Sequence, residues 1–388
     1  MKAANQLKTF LRLLDEYPGN EALHRFLPLF FRRNKQMGST DRRIANRLIY
    51  NYFRIGRAIP DESPENRLLV AEFLCNQNEN SFLTHFQPEL ARQVSLPPEE
   101  KLEVISALYP AFRLSDVFPF TQALSAGVDT AAFLRSHFVQ PDLFIRVHHG
   151  EETMVKTRLA RHEIVFREEW PGCIALPNGT KLDPVFPERK PFEIQDRSSQ
   201  LTGEVFKPQQ YDSWWDACAA SGGKSLLLHS LEPQVKLLVS DMRESVLNNL
   251  DERFRDAGIK NYQRKQLDLM ESPKPYIHSY AFDGIILDAP CTGSGTWGRT
   301  PELISRFNSV QIAQYQHVQK SIVKNVVPYL KPGKPLIYIT CSVFKAENED
   351  VVDFICAGTG LKVESAGIIP GYNHRADSMY AARLISPA

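Results

Sequence analysis

No apolar run in this chain approaches the length of a membrane span. The first residues, MKAANQLKTFLRLLDEYPGN, are amphipathic and lack the apolar core and small-residue cleavage site of a secretory signal. Six cysteines are present, but they form no CxxC pair and no zinc-type spacing. The histidines, His148 and His149 included, lack metal-ligand spacing, and no metal site is expected. Internal repeats and low-complexity stretches are also missing. A chain of 388 residues buries enough core to do without disulfides, so free thiols in a reducing cytoplasmic setting are expected.

Net charge is only +1, which hides an asymmetry. Between Arg25 and Arg57 stand Arg25, Arg32, Arg33, Lys35, Arg42, Arg43, Arg47, Arg54 and Arg57, against the single acid Asp41. Phe26, Phe30, Phe31, Tyr50, Tyr52 and Phe53 are interleaved. Such a run reads as a phosphate-facing surface, or more plainly as a solvated helix face over an aromatic core.

Three textures follow along the chain. Residues 1–140 read as a helical domain, with Leu7, Phe10, Leu11 and Leu14, then Ile44, Leu48 and Phe53, then Leu102, Ile105 and Leu108 at helical spacing. Residues 141–207 read as a small α+β module. Its strands are expected at Leu143–Val147, Glu163–Phe166, Cys173–Leu176 and Phe192–Ile194, with a helix near Glu152–Arg161 and a turn at Pro177-Asn178-Gly179. Residues 208–388 alternate strand and helix, which predicts an open, doubly wound α/β domain. Strands are expected at Ser213–Ala217, Val235–Ser240, Tyr262–Leu267, Phe282–Leu287, Lys334–Thr340 and Met379–Leu384, with a helix at Ser245–Ala257 stopped by Gly258.

Two cysteines each close a short apolar run. Cys291 lies in FDGIILDAPCTGSGT and Cys341 in PLIYITCS. Between them runs a helical pattern, Val310 to Leu330, stopped by Pro332-Gly333. A strand, crossover helix and strand place both strand ends on one sheet edge. Neighbouring strands lie about 4.8 Å apart, so the two thiols could face one bound substrate.

The first strand of the α/β domain runs into Asp216-Ala217-Cys218-Ala219-Ala220-Ser221-Gly222-Gly223-Lys224. Small residues at a strand-to-helix turn let a ligand approach the backbone, though this is neither a Walker loop nor a full GxGxxG fingerprint. Asp241, Asp268 and Asp288 close the next strand candidates, and Asp241 stands near the offset of a ribose-binding carboxylate. A nucleoside-bearing cofactor without a phosphate cradle fits S-adenosyl-L-methionine better than NAD or ATP.

With DACAASGGKS, DAPCTGSGT, the later TCS followed by ENED, and the earlier FEIQDRSSQ, the chain resembles the Sun/Fmu-type (RsmB-like) RNA (cytosine-5) methyltransferases over roughly residues 141–384. The resemblance implies a Rossmann-like, S-adenosylmethionine-dependent methyltransferase domain preceded by a small RRM-like module. It implies that Cys218, Ala219, Ala220, Ser221, Gly222, Gly223 and Lys224 line the methionine end of the cofactor. Asp241 would take the ribose, Asp268 would meet the adenine, and Asp288 would sit between cofactor and target base. Cys341 would be the nucleophile and Cys291 would assist product release. The expected partner is RNA, ribosomal first and transfer RNA second, with no membrane and a monomeric chain. The family loop has proline where Ser221 stands, and its R-V-N strand reads Arg146-Val147-His148 here. The helical region is only loosely like the NusB-like domain of some relatives.

Carbon 5 of cytosine is too weak a nucleophile to take a methyl group unaided. A thiolate adding to carbon 6 makes it one. A DNA cytosine methyltransferase would instead use Cys291 as nucleophile, and an RNA-binding or assembly protein on the same fold would use neither thiol.

Overall fold

The computed structural model describes residues 2–187 and 191–387. Their contacts divide into two compact units. The first comprises Met1–Gln122, Asp129–Gln140 and Thr296–Asn308, and the second Ala123–Val128, Pro141–Gly295 and Ser309–Ala388.

The first unit is helical. Helices Ala3–Glu16, Leu23–Arg33, Ser39–Arg54 and Pro64–Cys75 bury Phe10, Leu13, Phe30, Leu48 and Phe73 in one core. Leu108, expected on the buried stripe of the helix Pro98–Leu108, is 57% exposed because the helix ends on it. Four of the basic residues are consumed by the fold, Arg42 by donating to the Met37 carbonyl at 3.0 Å. Arg47 pairs with the buried Glu72 at 3.0 Å, and Arg54 donates to the carbonyls of His137 and Val139 at 3.0 and 3.2 Å. Arg57 donates to the carbonyls of Ile304 and Phe307. Arg25, Arg32, Arg33, Lys35 and Arg43 remain exposed.

The second unit holds two sheets. The smaller contains β1 (Leu143–Val147), β2 (Arg167–Trp170), β3 (Cys173–Leu176) and β4 (Phe192–Ile194), in the order β2-β3-β1-β4 with antiparallel pairs throughout. Helix Glu152–Arg161 covers it through Val155 and Leu159. The strand expected at Glu163–Phe166 is displaced to β2. Glu163 takes φ +55, and the amides of Glu163 and Ile164 close the preceding helix on Ala160 and Leu159. Ile164 and Phe166 pack partly buried on the small core, which gave them a strand-like pattern, whereas the charged β2 reads as loop.

The larger sheet contains β5 (Ser213–Asp216), β6 (Lys236–Asp241), β7 (Tyr262–Gln266), β8 (Gly284–Asp288), β9 (Pro335–Thr340), β10 (Lys362–Ile369) and β11 (Met379–Ile385). Its order is β10-β11-β9-β8-β5-β6-β7. The pairs β5–β6, β6–β7, β5–β8 and β8–β9 are parallel, while β11 runs antiparallel to β9 and β10 to β11. This is the doubly wound Rossmann-like sheet expected from the sequence. Edge strand β10 was not expected, because most of its residues are exposed and it shows no apolar alternation.

Successive side chains of a strand point to opposite faces. Trp215, Ile285, Leu287 and Tyr338 build one core beneath helices, and Trp214, Ile286, Ile337 and Ile339 the other. Trp215 Nε1 donates to Ser240 Oγ at 2.9 Å, and Ser240 donates to the Ala217 carbonyl at 2.8 Å, which pins β5 to β6. The strand order reverses direction at β5, whose neighbours are β6 and β8. The crevice beyond the carboxyl ends of β5 and β8 is therefore the switch point where ligands bind in such sheets.

A Cβ on Gly284 would stand 2.5 Å from three atoms of the Trp214 indole, in a core with no room to shift. Gly284→Ala is expected to lower the unfolding free energy by about 2 kcal/mol. A urea titration reads this as a lower midpoint, and an unchanged midpoint contradicts the packing.

Candidate active site

The two sulfurs meet. β8 ends at Asp288, and Ala289-Pro290 carry the chain to Cys291; β9 ends at Thr340 and turns at once into Cys341. Parallel pairing sets Asp288 opposite Ile339, and Cys291 Sγ lies 3.3 Å from Cys341 Sγ. Both cysteines are free and half-buried. Cys291 is pushed well above the ordinary thiol range, first by its hydrogen bond with Cys341, then by burial and by the negative potential of Cys341 and Glu347.

A buried carboxylate ties the two cysteine loops together. Glu347 accepts from Thr292 N at 2.8 Å and Thr292 Oγ1 at 2.6 Å, on the Cys291 side. On the Cys341 side it accepts from the Ser342 hydroxyl. Gln319 donates to Glu347 at 3.3 Å and to the Pro290 carbonyl at 3.0 Å. Burial raises the Glu347 pKa and these donors oppose the rise. Gly295 adds a backbone tie, its amide donating to the Cys341 carbonyl at 2.9 Å. Nothing in the ENED pattern alone marks Glu347 for this task.

The small-residue turn after β5 is shaped by its neighbours. The Ala219 amide donates to the Ser240 carbonyl at 2.8 Å, and the Ala220 amide to Asp241 Oδ2 at 3.1 Å. Asp241 also accepts from the Arg243 amide and guanidinium. Lys224 donates to Ser199 Oγ at 3.0 Å and to Asp288 Oδ2 at 2.9 Å, linking the turn to the strand that leads to Cys291. Gln195 braces the same turn through the Gly223 carbonyl at 3.3 Å. Burial, with Asp216, Asp241 and Asp288 around it, pushes the Cys218 thiol up and keeps it neutral. Asp268 stands apart: it is exposed, two residues beyond β7, and its carboxylate takes the Met270 amide at 2.9 Å.

Three features suit this crevice to a nucleoside-bearing cation. Asp216 is fully buried, and its Oδ2 accepts from Ser225 while Oδ1 has no hydrogen-bond partner among the described residues. Such an acceptor lacks a donor. Asp288 and Asp241 add negative potential around it. Met242 and Met270, next to Asp241 and Asp268 in sequence, are 59% and 41% exposed, apolar surface available to a flat ring. No sequence pattern marks Asp216, since only its burial reveals the orphaned oxygen.

Residues 204–368 match the family model described as 16S rRNA methyltransferase RsmB/F. Over this segment the chain is RsmB/F-like. The ribosomal RNA small subunit methyltransferase B of Proteus mirabilis is 31% identical over 223 residues, 55% of this chain and 51% of that protein. That of Shewanella oneidensis is 32% identical over 228 residues, with the same shares of 55% and 51%. The chain thus spans about half the length of the curated relatives it matches. Among solved structures, PH0851 superposes with TM-score 0.69 at 20% identity, covering 91% of this chain and 92% of that one. NSun6 from Pyrococcus horikoshii with SFG gives 0.56 at 17%, covering 64% and 91%. A methyltransferase homolog from Pyrococcus horikoshii gives 0.58 at 20%, covering 75% and 100%. At these identities the likeness is one of fold, and it matches the Rossmann-like assignment of the RsmB/F-like segment.

Burial pushes the Asp216 carboxyl up to about 7, against Ser225 and Lys224, which lower it. Its pKa is thus higher folded than unfolded, so its contribution to stability is full below pH ~4 and is lost as pH rises through ~7. Asp216→Asn removes this loss. The unfolding free energy of the variant relative to the parent is expected to rise by on the order of 2 kcal/mol between pH 5 and pH 8 in the ligand-free chain. Denaturation at the two pH values checks it, and a pH-independent difference contradicts it.

Proposed function

We propose that this chain is an S-adenosylmethionine-dependent RNA (cytosine-5) methyltransferase that acts on ribosomal RNA through a covalent cysteine adduct. The observation that carries the reading is the 3.3 Å sulfur pair beyond the parallel strand ends, beside the Lys224–Asp288 ion pair of the small-residue turn. The substrate class follows the naming of the relatives as ribosomal RNA methyltransferases.

Residues Cys218 to Lys224 and Asp241 would hold the methionine and ribose ends of the cofactor, Asp216 its ammonium, and Met242, Asp268 and Met270 its adenine. When bound, this group supplies the electrophilic methyl that an activated carbon 5 takes up. Cys341 Sγ forms a bond to carbon 6 of cytosine, and the electron pair of the carbon 5–carbon 6 double bond shifts to make carbon 5 nucleophilic. The hydrogen bond with Cys341 and burial push the Cys291 thiol up, which favours Cys291 as the donor of the pair and Cys341, once its own proton has passed to solvent, as the nucleophile. Asp288 has Oδ2 on Lys224, and Oδ1 is left to accept from the exocyclic amine of the base. After methylation Cys291, having first released its own proton to water, takes the proton from carbon 5 directly or through water, and the electrons left behind expel Cys341 from carbon 6 as its thiolate.

The base must leave any stack to be reached from both faces, which calls for a grip on flanking RNA. The four-stranded sheet, whose order β2-β3-β1-β4 supports an RRM-like reading, and the exposed Arg25, Arg32, Arg33, Lys35 and Arg43 supply candidate surfaces. Six free cysteines suit a reducing cytoplasm.

Cys341→Ala is expected to abolish methyl transfer to ribosomal RNA, and Cys291→Ala to accumulate a covalent protein–RNA complex visible on a denaturing gel. An active Cys341→Ala enzyme with an inactive, adduct-free Cys291→Ala enzyme would reverse the roles. Transfer of label to transfer RNA in place of ribosomal RNA would reassign the substrate.

A further inference from the structure

The turn after β5 is held in a backbone shape that it would not keep alone. Ala220 sits at φ +47 and Gly222 at φ +83. A non-glycine residue in the left-handed region persists only where its surroundings over-determine it. Asp241 holds the Ala220 amide, and a further restraint comes from one side chain outside the turn. Arg253, near the end of the helix Glu244–Asp256, places Nη1 2.8 Å from the Ser221 carbonyl oxygen and 3.1 Å from the Ser221 hydroxyl. Its Nη2 donates to Glu193 Oε2 on β4 at 2.6 Å, and the other Glu193 oxygen lies 3.5 Å from His148 Nε2. The same helix sets Leu250 and Phe254 under Gly222, where a Cβ would meet them at 3.0 and 2.8 Å.

Two of the positions that depart from the family pattern, Ser221 and His148, therefore belong to one series of polar contacts: His148, Glu193, Arg253, Ser221. A proline at 221 would stiffen the turn through its own ring. Serine leaves the backbone free and offers a hydroxyl to the guanidinium instead. The Ser221 amide has no partner among the described residues, so a proline there would break no hydrogen bond.

We propose that Arg253 is a positioning residue for the cofactor. Anchored on Glu193, it clamps Ser221 and preorganises the turn, doing by a charged fork what a ring would do by covalent geometry. The inference rests on the cofactor reading above and adds to it a residue that touches no ligand. Its removal loosens the turn and weakens cofactor binding without altering the cysteine pair.

The test is calorimetric titration of the full chain with S-adenosylhomocysteine, with hydrogen exchange measured at residues 219–223. Arg253→Met is expected to bind about tenfold more weakly and to exchange faster in the turn. Adding Ser221→Pro to Arg253→Met should recover most of the affinity and the protection, because the proline supplies the missing constraint. A merely structural role for Arg253 would not be rescued by a proline in the turn. Should Arg253→Met fail to fold, Arg253→Lys with and without Ser221→Pro makes the same comparison, since lysine cannot reproduce the fork. No binding by the parent chain defeats the cofactor reading, and this inference with it. Parent binding with an unaffected Arg253 variant, or a loss that Ser221→Pro does not repair, defeats this inference alone.

Discussion

The parallel pairing of β8 with β9 fixes where the two thiols lie, and the rest of the site depends on it. Residues far apart in sequence reach the same sheet edge because each strand ends in a short turn that begins with or soon reaches a cysteine. Strand pairing alone would leave two loops free to drift. Glu347 removes that freedom by taking donors from both loops at once, from inside the protein, where a lost partner is costly. Thr340 and Asn348 continue the tie, with the Thr340 hydroxyl on Asn348 Oδ1 and Asn348 Nδ2 on the Ser342 carbonyl. The TCS and ENED segments are therefore one structural unit.

Electrostatics divides the crevice into two parts. On the β5 and β6 side, Asp216 and Asp241 lie near Asp288, with Lys224 bonded to Asp288 and Arg243 to Asp241. That balance leaves a buried acceptor short of a donor and favours a cationic ligand. On the β8 and β9 side, the hydrogen bond with Cys341, burial and the negative potential of Cys341 and Glu347 push the Cys291 thiol up. Lys224 and Asp288 join the two parts across 2.9 Å. On the proposed reading, a methyl donor bearing positive charge and a substrate activated by sulfur would meet at this ion pair.

Much of this was legible in the chain because the features are local. Apolar runs ending in Asp288 and Thr340 gave β8 and β9, and the helical stripe between them gave the crossover. The Glu152–Arg161 helix and strands β1, β3 and β4 fell where patterning put them. What failed was non-local. β10 is an exposed edge whose partner lies across the sheet, and the charged β2 pairs through its backbone while Ile164 and Phe166 beside it fill a turn. Arg54 and Arg57 look like surface charges until backbone carbonyls distant in sequence are seen to claim them. Asp216 and Arg253 carry no pattern of their own: one matters through an orphaned oxygen, the other through a turn more than thirty residues away in sequence.

The central claim is that Cys341 attacks the pyrimidine while Cys291 serves as the proton-handling partner. A substrate RNA in which 5-fluorocytidine replaces the target cytidine tests it directly, because fluorine at carbon 5 blocks the elimination that would release the enzyme. Mass spectrometry of the trapped, digested complex should find the nucleotide on the peptide containing Cys341. A nucleotide on the Cys291 peptide, or an RNA that is never trapped although the chain binds it with cofactor present, would contradict the account.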